Sequence, residues 1–326
     1  MVFPVSAFLF TSILCESYRQ IEVVYGTILL SLLKGIMQMF EIMTDSTANL
    51  TGDMIRDYHL HVLSLSFVVD GKEYKGYEKG KTMDLAPFYA MMREKKDIKT
   101  SLANSEDAYR MGKAILKRDI DLLYLGFSSG LSSTFQAVSA AFEELREEYP
   151  QRQVLAVDSL SAALGEGLFV KYVVDMRENG ASIGEAYSWA LQHRLNICHE
   201  FTVDDLFFLK RGGRISAATA VLGTALSVKP VLHVDDEGHL IPVGKTRGRK
   251  KSLDALVERM KKNAIEPEKQ EVYISHGDCL EDAEYVATKV RESMGVEKIL
   301  IHVLDPVIGA HSGPGTVALF YYGEHR

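Results

Sequence analysis

A stretch rich in serine and glycine, Gly126-Phe127-Ser128-Ser129-Gly130-Leu131-Ser132-Ser133-Thr134, follows the apolar run Asp121 to Gly126 and leads into a helical pattern. Open α/β sheets place ligands at such strand-to-helix junctions. Free backbone N–H groups and the positive end of the helix dipole favour an anion there, and serine hydroxyls add neutral donors that suit a carboxylate. A plainer use for these serines is to cap the helix. The same stretch contains G-x-S-x-G (Gly126, Ser128, Gly130), the pattern of a hydrolase nucleophile elbow, and Asp158 and a later histidine follow in the required order. An elbow starts its helix directly after the nucleophile, whereas a second Gly-Leu-Ser-Ser intervenes here. A serine hydrolase of the α/β type using Ser128 is therefore the alternative reading and not the leading one.

Two further loops carry polar chemistry. Lys210-Arg211-Gly212-Gly213-Arg214-Ile215-Ser216 pairs glycines, which let the backbone approach a ligand, with cations such as Arg214 that suit a carboxylate, a phosphate or an acidic partner. A turn with solvated charges is the equal alternative. Gly309-Ala310-His311-Ser312-Gly313-Pro314-Gly315 is too rich in glycine to read as helix or strand, and it offers His311 as a donor to a ligand. His276, at the end of an apolar run, is similar, although a lone histidine is more often structural. No HExxH, Walker A, GxGxxG or paired-cysteine motif is present, so metal, nucleotide and flavin chemistry lack a motif.

The elements that must position these loops alternate in type. Strands are expected at Glu41 to Met43, Val62 to Val69, Asp121 to Gly126 and Gln153 to Val157, with helices between and after them, which implies parallel βαβ units. Thr44-Asp45-Ser46-Thr47 supplies a helix cap after the first strand. Beyond His199 the rhythm changes. Lys229 to Val234 and His239 to Lys245 flank Asp235-Asp236-Glu237-Gly238 as an antiparallel hairpin, and helices and strands follow to the end. The expected fold is α/β with two domains. A parallel-sheet, Rossmann-like domain covers 41–197, and an α+β domain with a mixed sheet covers 198–326.

With 326 residues, 47% apolar and 25% charged, the chain has the size and composition of a two-domain globular protein. A net charge of −7 argues against a nucleic-acid partner, and the basic run Lys245 to Lys251 reads as solvated surface or a local anion site. Cys15, Cys198 and Cys279 show no ligand spacing, which fits a reducing, cytoplasmic setting. Residues 1–40 form an apolar extension whose uncharged opening is shorter than the ~20 residues that span a bilayer. It lacks the basic start of a secretory signal. The preferred reading is an over-called start, with Met37 or Met39 as the native one and no stable membrane insertion; a membrane-surface anchor is the alternative.

Taken in order, MTDSTANL (43–50), SSGLSSTFQ (128–136), VDSLSAALGEG (157–167), LKRGGRIS (209–216), KTRGRKK (245–251) and GAHSGPGT (309–316) resemble the DegV family of fatty-acid-binding proteins from about Glu41 to Gly323. The resemblance implies a long-chain fatty acid, palmitate-like, in a tunnel or cleft between the domains. By motif, the carboxylate falls to Thr100 in KTSLANS and Ser132 in LSST. The usual forms are TSQP and LSGT, so Leu102, Ala103 and Ser133 are departures. Arg247 and His311 match an arginine and a histidine with roles near the head group, and Ser129, Arg214 and His276 are the remaining candidates for a head-group or partner site. The resemblance also implies no catalysis by this chain alone, no cofactor besides the bound acid, and in some members presentation of the acid to a separate acyl kinase.

Overall fold

The computed structural model describes residues 40–81, 83–216 and 228–326; the expectations for the apolar extension lie outside these residues except at Phe40. The first sheet is parallel, in the order β2-β1-β6-β7, built from β1 (Glu41–Asp45), β2 (His61–Leu63), β6 (Leu122–Gly126) and β7 (Val154–Asp158). Its strands are covered on both faces, so they read as continuous apolar runs. Ile42, Leu123 and Leu125 meet helices α5 (Leu164–Glu178) and α6 (Ile183–His193). Met43, Leu122 and Tyr124 point the other way, onto α3 (Ser105–Leu116) and α4 (Thr134–Glu148). The period of two explains why neighbours in one strand join different cores.

The second sheet is mixed and six-stranded, in the order β10-β9-β8-β13-β11-β12. Its strands are β8 (Ile197–Thr202), β9 (Val228–Val234), β10 (Leu240–Arg247), β11 (Val272–His276), β12 (Ile299–Val303) and β13 (Val317–Tyr322). The expected hairpin is β9 with β10, paired antiparallel. On one face Val272, Ile274, Val317 and Leu319 pack against α8 (Arg249–Asn263) and α9 (Leu280–Met294). On the other, Phe201, Leu232, Tyr273, Ala318 and Phe320 meet Leu164 and Leu168 of α5. Helix α5 therefore lies between the two sheets, giving each a share of its apolar surface.

Three expectations are corrected. Val62 to Val69 is not one strand: β2 ends at Leu63, and β3 (Ser66–Val69) starts a separate three-stranded antiparallel sheet with β4 (Lys72–Lys75) and β5 (Ile98–Ser101). That sheet and α2 (Ala86–Arg93) bury Phe67, Phe88, Tyr89 and Met92 against Phe208 of α7 (Phe207–Arg211) and Ala310. Strand β8 begins where a change of rhythm was read but no strand was expected. The glycine-rich 309–315 segment is largely helical, in α10 (Pro306–Ser312). Asp305 caps it through the N–H groups of Val307 and Ile308, and Pro306 fixes its first turn.

Candidate functional site

A cavity of about 280 Å³ lies between the loops at the C-terminal ends of β6 and β7 and the α5-facing side of the second sheet. This is just under the roughly 300–1,000 Å³ of many small-molecule sites. Its walls are mostly apolar, with Leu65, Phe127 and Leu131 on one side and Phe201, Val234, Leu240 and Phe320 on the other.

Thr100, Ser132, Arg214 and His311 also line it. Thr100 reaches the cavity from β5, and its Oγ1 is 2.8 Å from His311 Nε2. Ser132 precedes α4, accepts the Thr134 N–H at 3.2 Å and lies 2.9 Å from the Thr134 hydroxyl. Arg214 donates Nε–H to Leu131 O at 3.1 Å and Nη1–H to Gly212 O. Burial, then the charges of Arg214 and Arg211, push the His311 imidazole down to about 3, so it is neutral near pH 7. Its Nδ1 is buried and has no hydrogen-bond partner among the described residues. A neutral imidazole and a hydroxyl carry one donor each, and their mutual bond spends one. Whichever tautomer holds, one donor of the Thr100–His311 pair stays free. An apolar cavity with hydroxyls, a neutral imidazole and a half-buried guanidinium in its wall suits an amphiphile with an acceptor head.

Ser129, His276 and Arg247 are not brought to this cavity. The Ser129 N–H donates to Asp158 Oδ1 at 3.2 Å. His276 accepts the Cys279 N–H on Nδ1 at 3.2 Å. Arg247 is exposed at the end of β10. The hydrolase alternative fails on geometry. Ser128 is fully buried, its hydroxyl donates to Gly238 O at 2.9 Å, and the Gly130 N–H donates back to that hydroxyl at 3.2 Å. A nucleophile must give its proton to a base; here a backbone carbonyl holds it. Gly238 is in the left-handed region, and a Cβ there would strike the Ser128 Oγ, so this junction is a structural tie between loop and hairpin. His199 and Phe201, on the unforeseen β8, line the cavity and were missed. No alternation marks this strand, because Cys198-His199-Glu200-Phe201 sets two polar types between two apolar ones.

A family model described as an uncharacterised protein of the DegV family matches residues 39–324, most of the chain. The chain belongs to the DegV family. This DegV chain is 42% identical over 290 residues to a DegV domain-containing protein of Clostridium perfringens, covering 89% of this chain and 99% of the relative. It is 35% identical over 281 residues to one from Lactococcus lactis, covering 86% and 96%. Among solved structures it is similar to a DegV family protein from Thermus thermophilus described by its fatty acid binding, with a TM-score of 0.77 and 29% identity over 87% of this chain and 99% of that one. A DegV lipid-binding protein from Thermotoga maritima matches at TM-score 0.77 and 28% identity, over 88% and 99%. This DegV chain is α/β, with a parallel sheet, a mixed sheet and a small antiparallel one. Among the described residues no helix is long and apolar enough to cross a membrane, and no cluster of three or more His, Cys, Asp or Glu suits a metal ion.

Proposed function

We propose that two lobes, about 41–197 and 198–326, hold a long-chain, palmitate-like fatty acid in this cavity, with its carboxylate on the Thr100 and Ser132 hydroxyls. The observation that carries the reading is the pairing of Thr100 with His311, near Ser132 and Arg214, in the wall of an otherwise apolar cavity. Relatives described by fatty acid binding or as lipid-binding share the fold. Burying about fourteen methylenes at ~0.8 kcal/mol each gives roughly 11 kcal/mol before the costs of association. Neutral hydroxyls add about 1–3 kcal/mol and avoid burying a tight ion pair. The tail supplies affinity; the head sets orientation.

The protein serves lipid transport, fatty-acid metabolism or presentation of the acid to a separate acyl kinase, without turnover of its own. Exposed Arg247, in the basic run Lys245 to Lys251, is available to such a partner. Mass spectrometry of a denatured extract of the purified chain tests the binding; a near-stoichiometric long-chain acid is expected. Well-folded protein that yields only buffer components, and takes up no added palmitate, overturns it. Arg247→Ala is expected to keep the acid and lose delivery to the kinase. Loss of the acid as well would end that division of roles.

A further inference from the structure

We infer that the ring of His199 closes the inner end of the cavity and sets the length of acyl chain it accepts. The inference rests on the acyl-binding reading above. The cavity floor is a strip of the second sheet. Side chains alternate along β13, so Val317, Leu319 and Tyr321 face α8 and α9, while Ala318 and Phe320 face α5 and the cavity. On β8, Phe201 faces the cavity opposite Ala318, and His199 does so opposite Phe320. Thr316 also lines the cavity, just beyond α10 and its His311. From Thr316 to Phe320 the floor runs four residues of extended chain, roughly 13 Å. His311, with its partner Thr100, marks the start of this strip, and His199 with Phe320 marks its other end.

The His199 ring is fixed there. Its Nδ1 faces Ile197 O at 3.0 Å and its Nε2 faces the Ala162 N–H at 3.2 Å. A backbone carbonyl needs a donor and a backbone N–H an acceptor, which assigns the proton to Nδ1 and uses both nitrogens. The ring stands edge-on to Phe320 with centroids 5.2 Å apart. A Cβ on Gly165 would collide with the ring, so the chain comes as close to it as glycine allows. The adjoining loop is held as well: Leu160 and Ala163 both have φ of +52°, uncommon for residues with a side chain. The Arg326 guanidinium donates to Leu160 O and Ser161 Oγ. Burial and the Arg326 charge keep the imidazole well below its ordinary value, hence uncharged. A neutral ring with both nitrogens satisfied presents apolar edges to a methyl terminus and has no rotamer freedom with which to make room for a longer chain.

The test is competition among myristic, palmitic, stearic and arachidic acids for the full-length chain after delipidation. His199→Ala removes the wall, and the preferred acid is expected to lengthen, with discrimination against the next longer acid relaxed about tenfold. His199→Phe keeps a ring of similar size without the hydrogen bonds, and is expected to keep the wild-type length preference at reduced thermal stability. Where His199→Ala yields no folded protein, Phe320→Ala opens the same end from β13. Ala318→Val narrows the middle of the floor and is expected to weaken every acid. A folded His199→Ala or Phe320→Ala protein with the wild-type length profile overturns the inference. If Ala318→Val still weakens binding in that case, the acyl-binding reading stands without it; if the wild type binds none of the acids, that reading itself fails.

Discussion

Two polar clusters sit near the C-terminal ends of parallel strands in the first sheet, and they spend their hydrogen bonds differently. At the end of β1, Asp45 Oδ2 accepts from Tyr124 OH at 2.9 Å and Phe127 N at 3.1 Å, and Oδ1 accepts from the Thr47 N–H and hydroxyl. Glu166 takes the Thr44 hydroxyl on Oε1 at 3.3 Å and meets the Thr47 hydroxyl on Oε2 at 3.0 Å. One hydroxyl has one hydrogen, so Thr47 cannot donate to both acids. One of the two must carry a proton; burial raises both, and at Glu166 the nearby Asp45 charge adds to it, holding that carboxyl well above the ordinary range. Beyond β6, by contrast, the Thr100–His311 pair keeps a donor unspent and faces a cavity. A cluster that builds the fold uses up its valence internally, whereas one that meets a ligand holds some back.

The largest break in this comparison is Thr47→Val, which keeps the volume and removes the hydroxyl shared by two buried carboxyls. It is expected to cost on the order of 3 kcal/mol by denaturant unfolding, with fatty-acid affinity per folded molecule unchanged. A loss below 1 kcal/mol would mean the cluster is not structural. Next is pH. Burial raises Asp305 from 3.8 to about 7, and its Oδ2 has no partner among the described residues. A carboxyl raised in the native state binds its proton there while the unfolded chain has released it. Its contribution therefore falls as pH rises from about 4 to about 7 and levels off above that. Asp305→Asn keeps an oxygen for the α10 cap and is expected to remove a share on the order of 3 kcal/mol of that decline. An unaltered stability–pH curve would contradict it. Smallest for the fold is Thr100→Ala with Ser132→Ala, expected to shift melting by no more than a few degrees while weakening palmitate binding about 10–100-fold. Unchanged affinity would remove both hydroxyls from the head-group role and level the contrast between the clusters.

Much of the first sheet was readable because its strands are short apolar runs between helix-length patterns, as at Asp121 to Gly126. The hairpin of β9 and β10 was readable from its acidic, glycine-ended turn. The small sheet was not. Strand β4 is fully exposed and polar, Lys72 to Lys75, and β5 offers only Ile98 as a fully buried side chain. Strand β8 hid behind His199 and Glu200, residue types that read as surface although both are buried. Part of their cover is remote: the Ala162 N–H meets His199, whose other nitrogen bonds the neighbouring Ile197 O, and Arg259 pairs with Glu200. Helix α10 had a readable start in Asp305-Pro306, overridden by the count of glycines that follow. Of the candidate site residues, Thr100, Ser132, Arg214 and His311 share the cavity, and Ser129, His276 and Arg247 do not.

The sequence by itself determined the alternation of strand and helix, the loops able to hold an anion, and through ordered motifs the DegV family. Those signals are local, each carried by neighbours along the chain. Tertiary structure alone decided that Thr100 of β5 meets His311 of α10, 211 residues away, and that Ser128 is tied to Gly238 and not free to react. It also decided that His199 stands at the end of the cavity floor. Burial and pairing across the sheets set which polar groups are spent and which remain available, and no stretch of chain contains both halves of such a pair.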